Sequence, residues 1–225
     1  MDKSQLAELK DRLPKKPGIN GMEEFFNSAV LVLLTYRENE FHLVFEKRAS
    51  GIKQGDEICF PGGGFDPEKD LDYRETVLRE TFEELGLTKE KIEIIGRLDT
   101  VIAPMGATVD VFVGLVDFEA IKDLNVNHQE VAEIFTIPVA FFAEHEPEIF
   151  AVELKVFPYS HNKAGEEVLL LPARELGLPE RYTKPWGNVR RKIYLYRRPE
   201  GVIWGITARI IVDLINKVKI IKQYY

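Results

Sequence analysis

Residues 79–86 read "RETFEELG", which sets Glu80, Glu83 and Glu84 three or four positions apart beside Arg79. On a helix these spacings bring side chains onto one face, where like charges repel by a few tenths of a kcal/mol per pair. The helix is predicted by the periodic pattern over residues 72–85 and by Gly86 at the place of a C-cap glycine. Glutamates in a last turn also oppose the helix dipole. The residues alone leave two readings open: a solvated acidic face, or a face that holds a hard divalent cation, for which Glu80 and Glu84 are one turn apart. Immediately upstream, "EICFPGGGFDPEKD" reads as a strand that ends in a glycine-rich loop.

Outward from this point the chain alternates strands with helices. "SAVLVLLTY" and "EFHLVFEKR" flank the turn "RENE" as a hairpin, with Phe41, Leu43 and Phe45 alternating against polar neighbours. "IEIIGRLDTVIAP" and "ATVDVFVGLVDF" are further strands, and "AEIFTIPVAFFAEH" runs from a strand into a helix near Pro138. The chain closes on the helix "WGITARIIVDLINKVKII", with Ile206, Ile210, Ile211, Leu214 and Val218 on one face. A short amphipathic helix is expected at about residues 4–13, stopped by Pro14. Residues 147–190 are expected to form a long insertion with strands of their own. The expectation is one α+β domain over residues 1–225.

A net charge of -7 and a pI near 5.3 argue against a protein whose ligand is a nucleic-acid backbone. Cys59 is the only cysteine, so no internal disulfide forms, and a packing role is expected for it. The apolar run from Ala29 is far shorter than the roughly 20 residues that span a membrane. The expectation is a soluble cytoplasmic protein with no membrane partner. The four histidines show no metal-ligand spacing.

The stretch "PGGGFDPEKDLDYRETVLRETFEELGL" resembles the signature of the Nudix hydrolases, Gly-x5-Glu-x7-Arg-Glu-U-x-Glu-Glu-x-Gly-U, where U is a bulky aliphatic residue. Arg79, Glu80, Glu83, Glu84, Gly86 and Leu87 match its second half, with Thr81 at an aliphatic place. The first half departs: Gly64 lies 15 positions before Arg79 instead of 14, and Leu71 stands where the first glutamate belongs. Asp66, Glu68 and Asp70 are the candidates to replace it. "KRASGIKQGDEICFPGG", "HQEVAEIFTIPVAFF" and "IWGITARIIVDLI" are similar to the coenzyme A diphosphatase branch of that family.

The resemblance implies an α/β/α sandwich with a mixed sheet and a hydrolase of nucleoside diphosphates that uses Mg2+ or Mn2+. It implies Glu80, Glu84 and Glu83 as metal ligands, and Arg79, Glu80, Glu83 and Glu130 as catalytic residues. Glu83 is read as a ligand or as the base that activates water, and Glu130 and Glu133 as alternative bases on a distant loop. It implies Arg48, Lys53, Phe60, Gly62 and Gly63 as substrate-binding residues, and a carbonyl at Gly63 or Gly64 in the metal shell. Arg190, Arg191 and Lys192 are read as a second phosphate clamp or as a charged turn at a strand start, and Trp186 as an adenine-stacking ring or a packing anchor. The implied reaction cleaves coenzyme A or acyl-coenzyme A to 4'-phosphopantetheine, or its acyl form, and adenosine 3',5'-bisphosphate. ADP-ribose or another dinucleotide as substrate, and a non-catalytic nucleotide-binding regulator, are the alternatives. A second copy of the chain is a further candidate partner.

Overall fold

The computed structural model describes residues 1–15 and 18–222 of the chain. After α1 (Lys3–Arg12) come the strands β1 (Phe26–Arg37), β2 (Glu40–Arg48), β3 (Ile58–Cys59) and β4 (Gly62–Gly64). Helix α2 (Tyr73–Leu85) is followed by β5 (Ile92–Arg97), β6 (Val101–Ala103), β7 (Ala107–Val116), α3 (Phe118–Lys122), β8 (Val131–Pro138) and α4 (Val139–Glu144). The last third contains β9 (Glu148–Val156), β10 (Tyr159–His161), β11 (Glu167–Leu169), β12 (Trp186–Arg198), β13 (Gly201–Trp204) and α5 (Gly205–Lys222). None of the described helices is long and apolar enough to cross a membrane.

The main sheet is mixed. β1 pairs in parallel with β7 and antiparallel with β2, β5 and β6 lie antiparallel to β7, and β8 lies antiparallel to β2. Alternation along β1 sends Ala29, Leu31 and Leu33 to one face, where Val77, Leu85 and Leu87 of the α2 region cover them. Val32 faces the other way, into a core closed by Phe142 of α4 and by Ala208, Ile211 and Leu214 of α5. The fold is therefore α+β, a sheet between helical layers.

The hairpin of β1 and β2 turns tightly at Glu38 and Asn39, whose φ angles are 54° and 66°. The two strands pair only between Leu34–Arg37 and Glu40–Leu43, and then part. The chain from Ile58 to Gly64 fills the wedge. Its β3 half pairs with β2, Cys59 opposite Glu46, and its β4 half pairs with β1, Gly63 opposite Ala29. This wedge positions the site described below.

Both faces of β2 are covered, which corrects the one-sided alternation read from its sequence. His42 and Glu46, expected among the polar neighbours, are buried along with Leu43, Val44 and Phe45. Phe60 is also corrected: its ring is buried and stacks on Phe45 at 4.9 Å, so it packs the core and lines no open site. Residues 190–192 lie inside β12 and form no turn, and Trp186 packs edge-on against Tyr182 at 5.3 Å.

The strands β9, β12 and β13 form a separate three-stranded antiparallel sheet, and β10 pairs with β11 near its far end. Tyr196 and Ile203 root this sheet in the main core. From there β9 and the first part of β12 extend outward as an exposed ribbon.

Candidate functional site

Helix α2 is capped at both ends. Asp72 accepts a hydrogen bond from the Glu75 amide at 2.9 Å, and Gly86, at φ 69°, closes the last turn through its amide to the Phe82 carbonyl at 2.8 Å. These caps fix the rotation of the helix. Thr76, Val77, Thr81, Glu84 and Leu85 then point toward the sheet, while Glu83 is exposed.

Glu84 thus enters the wedge. It is 2 % exposed, and its Oε2 accepts from the Gly62 amide at 2.9 Å. Gly62 has φ 149°, and a Cβ there would lie 2.2 Å from the Ala29 carbonyl oxygen, so only glycine fits. A Cβ on Gly63 would lie 2.4 Å from Glu80 Cδ, so that glycine lets the Glu80 carboxylate lie against the loop backbone.

A carboxylate absent from the sequence reading completes the cluster. Glu46 of β2 is 1 % exposed, accepts from the Cys59 thiol at 3.2 Å, and its Oε2 has no hydrogen-bond partner among the described residues. Burial raises the pKa of Glu46, with the charges of Glu130 and Glu80 adding to it, and burial raises that of Glu84, with the charge of Glu46 raising it further. Glu80 is raised as well, first by desolvation. Arg48 is the cation facing the buried pair, with Nη1 4.0 Å from Glu84 Oε1. Cys59 is itself held as the thiol by burial and by Glu46.

Arg79 ties the loop to the helix. Its Nε and Nη2 donate to both oxygens of Asp70 at 2.8 Å, its Nη1 to Glu80 at 2.8 Å and to Glu83 at 3.3 Å, and its Nη2 to the Gly64 carbonyl at 3.2 Å. Asp70 also accepts from the Thr76 hydroxyl at 2.9 Å and from the Asp66 amide at 3.1 Å. Hydrogen bonding to Arg79 holds its carboxyl down at about 2. Asp70 is therefore the acid paired with Arg79, whereas Leu71 is 89 % exposed and Asp66 and Glu68 only shape the loop.

The remaining candidates stand around this cluster. Glu130 is half-buried, held by the Asn127 side-chain amide at 3.2 Å, and its charge reaches Glu46 and Glu80. Asn127 in turn bonds the Glu84 carbonyl at 2.9 Å, tying that loop to the end of α2. Glu133 is exposed on β8. Lys53 contributes its carbonyl to Arg48 Nε at 3.4 Å, while its side chain is exposed.

The donor set suits a hard cation. Glu80 and Glu84 lie against the glycine loop with Glu46 buried on the adjacent strand, and burying such charges without a counterion is unfavourable. Among the described residues no three metal-binding side chains stand close enough to hold an ion as they are. Arg79 engages Glu80 and Glu83, and the Gly62 amide engages Glu84.

The sequence pattern of the NUDIX domain matches residues 26–158, well over half of the chain. The chain belongs to the Nudix family. It is 39% identical over 118 residues to "Nudix hydrolase 3" of Caenorhabditis elegans, covering 50% of this chain and 48% of the relative. It is 37% identical over 117 residues to the mouse "Peroxisomal coenzyme A diphosphatase NUDT7", covering 51% and 48%. The chain thus spans about half the length of these curated relatives. A longer but weaker likeness, 26% identity over 195 residues and 86% of both chains, joins it to the "Uncharacterized Nudix hydrolase NudL" of Photorhabdus laumondii. The Nudix match takes in all of β1 to α4 and stops just past β9.

Proposed function

We propose that this Nudix protein hydrolyses the diphosphate bond of coenzyme A or an acyl-coenzyme A, with Mg2+ or Mn2+ as cofactor. The observation that carries the reading is the approach of Glu84 and Glu80 to the Gly62–Gly63 backbone, with Glu46 buried on the neighbouring strand opposite Cys59. The likeness to a coenzyme A diphosphatase supports the choice of substrate.

Glu80 and Glu84 would hold the cation, with Glu46 and Glu83 beside them. A divalent cation held by these residues would supply polarisation of phosphoryl oxygens and acidification of water. Arg48, at the rim of the cluster, pairs with substrate phosphate and orients it. Glu130 accepts the proton of the attacking water. One P–O bond forms from water and the anhydride P–O bond breaks, so 4'-phosphopantetheine and adenosine 3',5'-bisphosphate leave. Arg79 keeps the carboxylates of α2 in place through Asp70 and Gly64.

Mass spectrometry of the products after incubation with coenzyme A and Mg2+ tests the reading. The two expected products should accumulate in equal amounts. Cleavage of ADP-ribose with no cleavage of coenzyme A would move the substrate and keep the chemistry. No cleavage of any diphosphate with either metal would overturn the enzymatic reading in favour of a nucleotide-binding regulator.

A further inference from the structure

The ribbon of β9 and β12 carries apolar side chains into solvent. Phe150, Val152 and Val156 of β9 are 51 %, 44 % and 51 % exposed, and Phe157 just beyond them is equally so. Phe150, Val152 and Val156 share a face with Ile193 and Val189 of β12, which lie opposite Phe150 and Leu154. Ile149, on the reverse face, is exposed too. A two-stranded ribbon is marginally stable by itself, and exposed apolar patches of this kind mark interaction surfaces.

The edges of this sheet are β9 and β13, with β12 between them, and β9 is the longer edge at nine residues against four. Exposed edges are commonly blunted by charged side chains, proline or bulges. Here the charges of β9 are already neutralised, Glu148 by Arg197 at 2.7 Å and Glu153 by Lys155 at 3.0 Å. The strand "EIFAVELKV" contains no proline.

We propose that this edge is the contact between two copies of the chain, joined β9 to β9 antiparallel about a two-fold axis at Val152. Symmetry requires residues that face one another to lie on the same side of the sheet, so the axis must pass through a residue position. Val152 is the middle of Glu148–Val156, and centring there pairs the whole strand. Val152 then meets the second copy's Val152, and Phe150 meets its Leu154. Moving the centre to Glu153 would oppose like charges, whereas centring on Val152 keeps them apart, with Glu153 facing Ala151 and Lys155 facing Ile149.

The pairing unites two three-stranded sheets into one of six. It also carries each ribbon tip, with exposed Leu169, Leu170 and Leu176, past the other copy's Pro147. A stable interface takes on the order of 800 Å² from each copy. A fully buried aromatic side chain supplies roughly 150–250 Å². Phe150 and Phe157, each about half exposed, would add on the order of 100 Å² apiece, and Val152, Val156, the tip leucines and the strand backbone would supply the rest.

Sedimentation of the whole chain tests this without reference to catalysis. The expected mass is twice the 25.8 kDa of the chain, and Val152→Lys should weaken self-association by at least about 100-fold by facing two ammonium groups across the axis. An unchanged circular dichroism spectrum would show that this variant folds. A single-chain mass up to about 100 µM, or full dimer in the lysine variant, would overturn the proposal. A second variant, Val152→Cys, should form an intermolecular disulfide on oxidation, since facing residues of antiparallel strands lie within disulfide reach. Glu167→Cys on β11 is the control. Equal cross-linking of the two would also overturn the β9 register.

Discussion

The Nudix body and the ribbon of β9 and β12 break the ordinary partition of side chains in opposite directions. In the body, the wedge between β1 and β2 buries Glu46 and Glu84 where charge is costly. In the ribbon, Phe150 and Val152 stand half in water, where completing their burial would be worth about 1 kcal/mol each. A buried carboxylate cluster and a stranded apolar edge have the same meaning for a folded chain. Each is a place where the isolated protein is less stable than it could be, and where a ligand of complementary chemistry restores the balance. A divalent cation suits the first and an apolar strand the second.

The largest expected effect breaks the body's half of this contrast. Glu84→Gln should lower turnover of the accepted diphosphate by more than about 100-fold, beyond the usual cost of losing a residue that only supports a ligand. The same variant should raise the melting temperature of metal-free protein at pH 8. The sign follows from the raised pKa. Stability contributed by the protonated carboxyl is present below the unfolded value and lost as pH rises toward the folded one, and glutamine cannot ionise. Adding Mn2+ should reverse the ranking, because only the wild-type site gains fully from the ion. Glu46→Gln should follow the same pattern with a smaller, roughly tenfold, loss of metal affinity. A melting temperature for Glu84→Gln below wild type without metal would show that the buried charge is not a burden.

Next in size is the bidentate pair of Asp70 and Arg79. Asp70→Asn should cost about 2 kcal/mol at pH 7, the worth of a carboxyl held near two units below its unfolded value. Because the folded pKa is depressed, the contribution is present above about pH 4 and is lost as pH falls toward about 2. Urea titrations of the two proteins should therefore differ at pH 7 and converge near pH 2. A difference that persists undiminished at pH 2 would assign the effect to packing.

The same pair shows what the sequence made legible. Counted back from Arg79, the first acid of the family pattern falls on Leu71; counted forward from Gly64, it falls on Asp70. The extra residue lies between Asp70 and Arg79, and only the hydrogen bonds say which count the chain obeys. The α+β class, the hairpin, helix α2 and its glycine cap were legible because period and capping are local properties. Glu46 was not. The alternation of its strand predicts one wet face, and nothing local says that α2 covers that side and brings Glu84 above it. The one available signal was a glutamate directly following the apolar run Leu43–Phe45 in a strand. Phe60 misled for the complementary reason: its neighbours Gly62 and Gly63 approach the site, while its own ring turns into the core.

The smallest expected effects separate the two regions by the cations they carry. Arg48 stands at the carboxylate cluster, whereas Arg190 and Lys192 are exposed along β12 and pair in register with Glu153 and Ala151 of the ribbon. If phosphate is gripped at the body alone, Arg48→Ala should raise KM for the diphosphate roughly tenfold, about the worth of one charge-assisted hydrogen bond. The double change Arg190→Ala with Lys192→Ala should leave KM within about twofold and alter stability by less than about 0.5 kcal/mol, as for surface sites without special contacts. Steady-state kinetics at saturating metal distinguishes the outcomes. A rise in KM for the double variant matching that of Arg48→Ala would bring the ribbon into the substrate site. Its exposed apolar edge would then be the wall of a ligand channel, and the two departures from ordinary burial would belong to one site.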